Sequence, residues 1–322
     1  MAYTDNPGVG IREYFTFERQ EIGCDAGMCK GELLVNLASG NFIARFIDID
    51  LPFYDTSLRV NRTYNSLGIY GNNYASFGAN WYSVMNMVVW QYDDTYKMMF
   101  IDENGTQWMF SMDSGTSYET GTPPAELEAT IRVDWDEPKI YITYKDGTLN
   151  TFFYEDTNGN FLIESIQTPS GIKTLFEYDA NCLVQKMHIC NTREPGQPIR
   201  RSLTIKRDAN SEITRICIDG TDKYVSYSYT NQRLTGFTNT ASLTHAYAYE
   251  GSSPYRLNSI TNYNSQAWTT QYISSGDSRI SRLTRPQTSN PYIAYAYPQD
   301  GQMTRTDEDS RVWTYNFSKS YS

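Results

Sequence analysis

A tyrosine-and-turn signature recurs through the second half of the chain. It reads "FEYDANCLVQKM", "VSYSYTNQRLTGFTN", "HAYAYEGSSPYRLNSITN" and "IAYAYPQDGQMTRT". Each copy runs from alternating residues into a short polar turn and then an aliphatic residue. The anchoring tyrosines Tyr178, Tyr229, Tyr249, Tyr272 and Tyr297 lie 51, 20, 23 and 25 residues apart. The long gap holds a degenerate copy, "LTIKRDANSEITRICI", in which Arg207-Asp208 replaces the Tyr178-Asp179 pair. Tyr154, in "FFYEDTNGNFLIESIQTPSG", extends the series one period upstream. A unit this short cannot bury its own apolar face, so the copies must stack into one continuous core.

Alternation is the second constraint. The chain carries 27 Tyr against 14 Phe and 6 Trp, and aromatic and β-branched residues suit a half-buried pleated surface. In "LRVNRTY", Leu58, Val60 and Tyr64 share one parity and Arg59, Asn61 and Thr63 the other, the pattern of a strand with one buried face. "NWYSVMNMVVWQY" reads as one long strand and "NSLGIYGNNYASFG" as a loop. Hairpin turns are expected at "YDDTY", Asn104-Gly105, Asp146-Gly147 and Asn158-Gly159, with Asn104-Gly105 suited to positive φ at both central positions. Residues 111–129, rich in Gly, Ser, Thr and Pro, read as an excursion. The expected fold is all-β: a long antiparallel meander of hairpins with virtually no helix.

Together with the repeats, the segment Ser39–Gly68, "SGNFIARFIDIDLPFYDTSLRVNRTYNSLG", carries a "GNF…D…LP…L…RTYNS" pattern. It is followed by "FGANWYSVMNMVVW" and "MMFIDENGTQWMF". In this order the chain resembles the Rhs, or YD-repeat, family over most of residues 39–322. The signature residues of the N-terminal module are Arg62, Tyr64, Asn65, Ser66, Gly78 and Trp81. Those of the repeats are Tyr154, Tyr178, Asp179, Asp208, Tyr229, Tyr249, Tyr272 and Tyr297, all in structural roles. The resemblance implies a curved or partly closed β-shell, divided into a strap or cap (1–38), an N-terminal module (39–150) and a repeat region (151–322). It further implies a bacterial protein, secreted or at the cell surface, that encapsulates or displays a toxin polypeptide. The final "RVWTYNFSKSYS" stops within a repeat, so a C-terminal shell segment is an expected partner. No Asp-Pro dipeptide occurs, so the family's self-cleaving signature is not carried over. No signal peptide is visible at Met1, which makes the cytoplasm the expected location before export.

Other function classes find little support. A net charge of −10, from 27 basic and 37 acidic residues, argues against a nucleic-acid partner. No apolar run is long enough for a transmembrane helix. The acidic groups Asp93-Asp94, Asp134/Asp136-Glu137 and Asp307-Glu308-Asp309 read as solvated turns. His188 and His245 read as packed or surface residues. Cys24 and Cys29 suit a small reducible loop or free thiols; with no second Cys pair or His cluster, no metal site is expected. Cys182, Cys190 and Cys217 read as buried replacements within repeats. No nucleophile elbow, zinc-protease, P-loop or dinucleotide motif is present, so no catalytic residue and no cofactor are expected. The rival reading is a cell-surface adhesion or carbohydrate-binding module whose exposed tyrosine ladder stacks on glycans.

Overall fold

The computed structural model describes residues 17–22, 30–68, 77–92, 97–113, 118–124, 127–155, 159–251, 256–286 and 291–317. Cys24, Cys29, Asp93 and Asp94 lie outside them, as do the centre of the "YDDTY" turn and Asn158. Among the described residues all regular structure is β, apart from one 3-10 turn at Val84–Asn86.

Two hydrogen-bonded systems make up the fold. The first is a five-stranded antiparallel sheet in chain order: β1 (Phe17–Ile22), β2 (Lys30–Asn36), β3 (Phe42–Phe53), β4 (Thr56–Asn65) and β5 (Trp81–Tyr82). Of the N-terminal segment, which reads as short strands or straps, "GELLVNLA" supplies most of β2, an inner strand whose Leu33 and Val35 are fully buried. The expected long strand at 80–92 is broken. Ser83 caps the 3-10 turn by accepting the Met85 N–H, and the chain leaves the first sheet for the second there.

The second system opens with β6 (Val88–Gln91), β7 (Lys97–Ile101), β8 (Gln107–Met112), β9 (Tyr118–Thr122), β10 (Ala129–Asp134), β11 (Lys139–Tyr144), β12 (Leu149–Glu155) and β13 (Asn160–Gln167). Consecutive strands pair antiparallel, and β13 returns to β6, closing an eight-stranded ring. The ring is filled by side chains, among them Phe100 and Phe152 in edge contact at 5.7 Å.

β13 is also where the sheet forks. Its residues Asn160–Leu162 pair with β6, and Ser165–Gln167 on the same edge pair with β14 (Ile172–Tyr178). From β14 the meander runs on through β15 (Val184–Asn191), β16 (Ile199–Arg207), β17 (Ile213–Ile218), β18 (Tyr224–Thr230), β19 (Arg233–Thr238), β20 (Thr244–Glu250), β21 (Arg256–Thr261), β22 (Ala267–Ser274), β23 (Asp277–Thr284), β24 (Tyr292–Gln299), β25 (Gln302–Thr306) and β26 (Val312–Asn316). The five-stranded sheet packs against this strip, and both contribute to one apolar core together with the ring.

One turn chemistry recurs along the chain. Asp179, Asp208, Asn239, Asn262 and Asp307 each open a five-residue turn. Their side-chain oxygen accepts the N–H groups two and four residues on, and their carbonyl accepts the N–H three residues on. The fourth residue is left-handed in every case: Cys182, Ser211, Ser242, Ser265 and Ser310, with φ between 59° and 67°. This is a type I turn followed by an αL residue, a standard hairpin closure. Asp102 builds the same turn, with Gly105 at φ 75°. Asn104 does not share the positive φ expected of it, because the Asp102 carboxylate wraps a longer loop than a two-residue hairpin needs. Cys182 thus fills a turn position and is only half-buried, as is Cys217; Cys190 alone of the three is buried.

Candidate functional site

From Tyr178 onward, every repeat anchor sits at a break in strand register. The pairing shifts between Glu177 and Tyr178, Lys206 and Arg207, Ser228 and Tyr229, Ala248 and Tyr249, and Gln271 and Tyr272, with a further irregularity after Ala296, beside Tyr297. A bulge leaves backbone groups without ladder partners, and buried orphans are costly. The next repeat supplies the missing partner. Tyr249 Oη donates to the Leu234 carbonyl at 2.9 Å, Tyr272 Oη to Leu257 at 2.7 Å and Tyr297 Oη to Ile280 at 3.1 Å. Leu234, Leu257 and Ile280 are the residues that face the preceding anchor across its bulge. Tyr178 Oη donates to Ile163 at 2.6 Å, between the two halves of β13, and so fills the fork. Arg207, in the degenerate copy, makes a longer version of the bond, 3.4 Å from Nη2 to the Val184 carbonyl.

Two expected anchors depart from this pattern. Tyr154 lies on β12 of the ring, 39% exposed, with its ring against Phe161. The Tyr229 hydroxyl is buried with no hydrogen-bond partner.

The N-terminal module serves the same bulges from the other side. Tyr64 Oη accepts the Leu257 N–H at 2.9 Å, and the Gly40 carbonyl accepts the Ile280 N–H at 2.9 Å. Trp81 Nε1 donates to Tyr249 Oη at 2.8 Å, which passes the bond on to Leu234. Close approach explains two glycines. A Cβ on Gly78 would stand 2.7 Å from the Gln232 carbonyl oxygen, and one on Gly40 would stand 2.5 Å from Tyr297 Oη. Ser66 fixes the start of β3: its Oγ accepts the Phe42 N–H and donates to Asn41. Asn65 is buried in the same place, and neither amide atom has a partner.

Beneath these contacts lies a buried ion pair. Arg62 projects from β4 with Tyr64, fully out of solvent, and binds Asp48 through two nitrogens. Asp48 occupies the bulge between Ile47 and Ile49, which turns its carboxylate inward while Ile49 continues the apolar stripe. Tyr227 Oη donates to Asp48 at 2.8 Å, and Arg62 Nη2 donates to Tyr247 Oη at 3.0 Å. Six rings enclose the guanidinium at 4.7–5.8 Å: Phe237, Trp81, Phe46, Tyr227, Tyr247 and Phe77. Burial opposes the Arg62 charge, yet Asp48 and the two tyrosines hold its pKa well above the ordinary value.

Sequence gives no role to Asp48, and reads Tyr227 and Tyr247 only as packing between neighbouring hairpins. The signal was present in the first "D" of "RFIDID" and in the tyrosine two residues ahead of each anchor. Parity makes both tyrosines of a pair inward, but their tasks differ: the first serves the ion pair, the second a bulge.

His245 packs into the same cage, edge-on to Phe46 and Phe237. Burial, reinforced by Arg62, pushes it down from 6.5 to about 4. Glu103 moves the other way, from 4.5 up to about 7, through burial and the neighbouring Asp102. The adjacent Asp102 is also raised, by burial, but its oxygens are held by Asn104 N, Thr106 N and Trp108 Nε1 at 2.9 Å each. The two shifted groups have opposite linkage. The folded state rejects the His245 proton, so stability falls as pH drops from about 6.5 to about 4. It retains the Glu103 proton, so stability falls as pH rises from about 4.5 to about 7. The effects offset each other between pH 4.5 and 6.5. In Glu103→Gln the largest opposing contribution is removed, and stability is expected to climb more steeply than in the wild type from pH 4 to 6.5, by up to about 3 kcal/mol. Denaturant titrations across that range, on both proteins, check it.

Among the described residues no group of three or more His, Cys, Asp or Glu is placed to hold a metal ion. No described helix is long and apolar enough to cross a membrane, which says nothing about β-barrels.

Residues 34–110 match a family model described as a domain of unknown function, DUF6531. The match spans β2 to β8, and thus Asp48, Arg62, Tyr64 and Trp81. A solved structure described as TcdB2-TccC3-TEV is similar over 92% of this chain, at 11% sequence identity and a TM-score of 0.33. The aligned region is 21% of that chain, so the present chain spans about a fifth of its length. No curated protein matches the sequence.

Proposed function

We propose that the chain is a noncatalytic β-shell segment of the Rhs, or YD-repeat, kind. On this reading it holds or displays a partner polypeptide, a toxin domain in bacterial competition, and acts outside the cell or at its surface. The observation that carries the reading is the interlock. Motif residues of the N-terminal module and anchor residues of the repeats satisfy each other's bulges, so the chemistry-bearing side chains are spent on building a rigid wall. The small sheet occupies the inner face of the wall around β18–β24, through Asp48, Arg62, Tyr64 and Gly40. The inner face is less covered at β25 and β26, where Arg305 stacks on the 37%-exposed Trp313.

One observation favours the rival surface-recognition reading. Tyr54 is 72% exposed at φ 52°, in a two-residue turn whose first position suits glycine. Retaining an aromatic ring there costs about 1 kcal/mol, and ring faces bind sugars. The repeat tyrosines from Tyr178 onward are no candidates for the same role, because they are buried or tied to carbonyls.

A protease-sensitive, unfolded reporter fused after Ser322 separates the readings. The shell reading expects the reporter to be cut at least tenfold more slowly than the free reporter. It also expects no glycan binding. Saturable glycan binding that is lost in Tyr54→Ala, with no protection of the reporter, would replace the shell reading by the adhesin.

A further inference from the structure

We propose that the cleft where the ring and the strip part is a binding site for a small carboxylate on a slim aliphatic chain, held by Arg207. The inference does not depend on the shell reading.

The cleft lies at the fork of β13. Leu162 closes one side from the ring, and Met85 and Met87 flank it where the chain crosses from the small sheet to β6. Cys182, Leu183 and Arg207 come from the strip. Its empty space is about 240 Å3 with the mouth included. The enclosed part narrows to room for about one water-sized group, which suits an unbranched chain and excludes a branched or aromatic one. Two methionines make the wall adaptable.

Two departures from the repeat pattern meet here. Ser211, Ser242, Ser265 and Ser310 hold the left-handed turn position of their hairpins, where this one has Cys182. Tyr178, Tyr229, Tyr249, Tyr272 and Tyr297 hold the anchor position, where the degenerate copy has Arg207. Local rules are broken where function requires it. A cation here takes the place of a neutral ring, beside open space.

The walls select an anion. Arg207 is half-buried, and its hydrogen bonds go to carbonyls, Ser211 at 2.8 Å and Val184 at 3.4 Å. No carboxylate is bound to it among the described residues. Asp179 acts on its charge from nearby, but the Asp179 Oδ1 is held by the Asn181 and Leu183 N–H groups. A cation withdrawn from water without a bound anion is costly, and burial accordingly lowers the Arg207 pKa. A carboxylate in the cleft supplies the missing charge and accepts the remaining guanidinium N–H groups. Cys182 does not oppose it, because burial and the neighbouring Glu155 push its thiol pKa up and keep it neutral. The aliphatic chain then lies against the methionines and leucines.

Butyrate, added to the full chain, is the probe. It is expected to protect Cys182 from iodoacetamide with half-effect at or below about 1 mM. At about ten times that concentration mass action leaves about a tenth of the sites free, so alkylation slows about tenfold. Cys217, half-buried on β17 and outside the cleft, should react at an unchanged rate. Saturation-transfer NMR on butyrate gives a second readout that does not rely on the thiol. Butyramide, which lacks the charge, and pivalate, branched beside its carboxylate, are expected to give neither signal. Arg207→Tyr restores the repeat pattern at the anchor. It should unfold at a midpoint no lower than the wild type and lose both signals. An absence of saturation transfer with the wild type overturns the proposal. So does binding that survives in Arg207→Tyr, is matched by butyramide or leaves Cys182 unprotected, since the ligand then lies elsewhere or is not held by its charge.

Discussion

Arg62→Met is expected to destabilise the fold by about 3–5 kcal/mol, the largest effect of any single substitution in the N-terminal module. The cost does not measure the strength of the Arg62–Asp48 attraction. Methionine fills much of the aromatic cage, so the packing loss is modest. The penalty comes from Asp48, which stays buried on its bulge with only the Tyr227 hydroxyl to stabilise its charge. Asp48→Leu with arginine retained should cost a similar amount, for the mirror reason. The double variant Asp48→Leu/Arg62→Met is expected to recover much of the loss, because a buried pair replaced by apolar residues leaves no uncompensated charge. Recovery will be incomplete, since Tyr227 and Tyr247 each lose a hydroxyl partner at about 1 kcal/mol apiece. Denaturant midpoints for the four proteins form a double-mutant cycle. A coupling near zero would mean that the two residues act independently and that the cage, without the ion pair, holds the small sheet to the strip.

This pair also shows where sequence reading stops. Alternation in "LRVNRTY" places Arg62 on the inward face with Val60 and Tyr64, but an inward arginine needs an anion, and parity does not say which. Asp48 becomes that anion only because a bulge re-aims it, and a single extra residue in a pairing leaves little trace in one sequence. The broken strand at Ser83 was hidden for a related reason: "WYSVMNMVVW" is largely apolar apart from Ser83 and Asn86, and the cap at Ser83 is visible only once two sheets compete for the chain. The turns were more legible. Asp or Asn followed three residues later by Gly, Ser or Cys marks six hairpins, and short-range chemistry of that kind survives in sequence. Tyr154 looked like the repeat anchors by spacing alone. It lies within the ring, where the register of β12 shifts at Thr151 and Phe152 instead, so no bulge carbonyl waits for its hydroxyl. Spacing located the tyrosines, and the orphaned carbonyls decide which of them matter.

That distinction yields a series of substitutions with unequal outcomes. Tyr249→Phe, Tyr272→Phe and Tyr297→Phe each delete one hydroxyl and almost no apolar surface. Each leaves a carbonyl at a bulge without that donor, at a cost of about 1–3 kcal/mol. Tyr249→Phe should sit at the upper end, because Trp81 Nε1 loses its acceptor in the same stroke. Tyr272→Phe should sit lower, since Thr270 Oγ1 also donates to the Leu257 carbonyl. Tyr229→Phe is the internal control. Its hydroxyl is buried without a partner, so removing it should be neutral or slightly stabilising. Tyrosines that serve only as apolar filler would make all four substitutions alike and mild. Tyrosines that hold repeat to repeat give losses at 249, 272 and 297 and none at 229. Neighbouring repeats share a bulge residue on each side, so the losses should also couple. Combining Tyr249→Phe with Tyr272→Phe removes a donor from Leu234 and another from Leu257, loosening consecutive hairpins of the same strip. The pair is expected to cost more than the sum of its parts by about 0.5–1 kcal/mol, read from unfolding midpoints of the two single variants and the double.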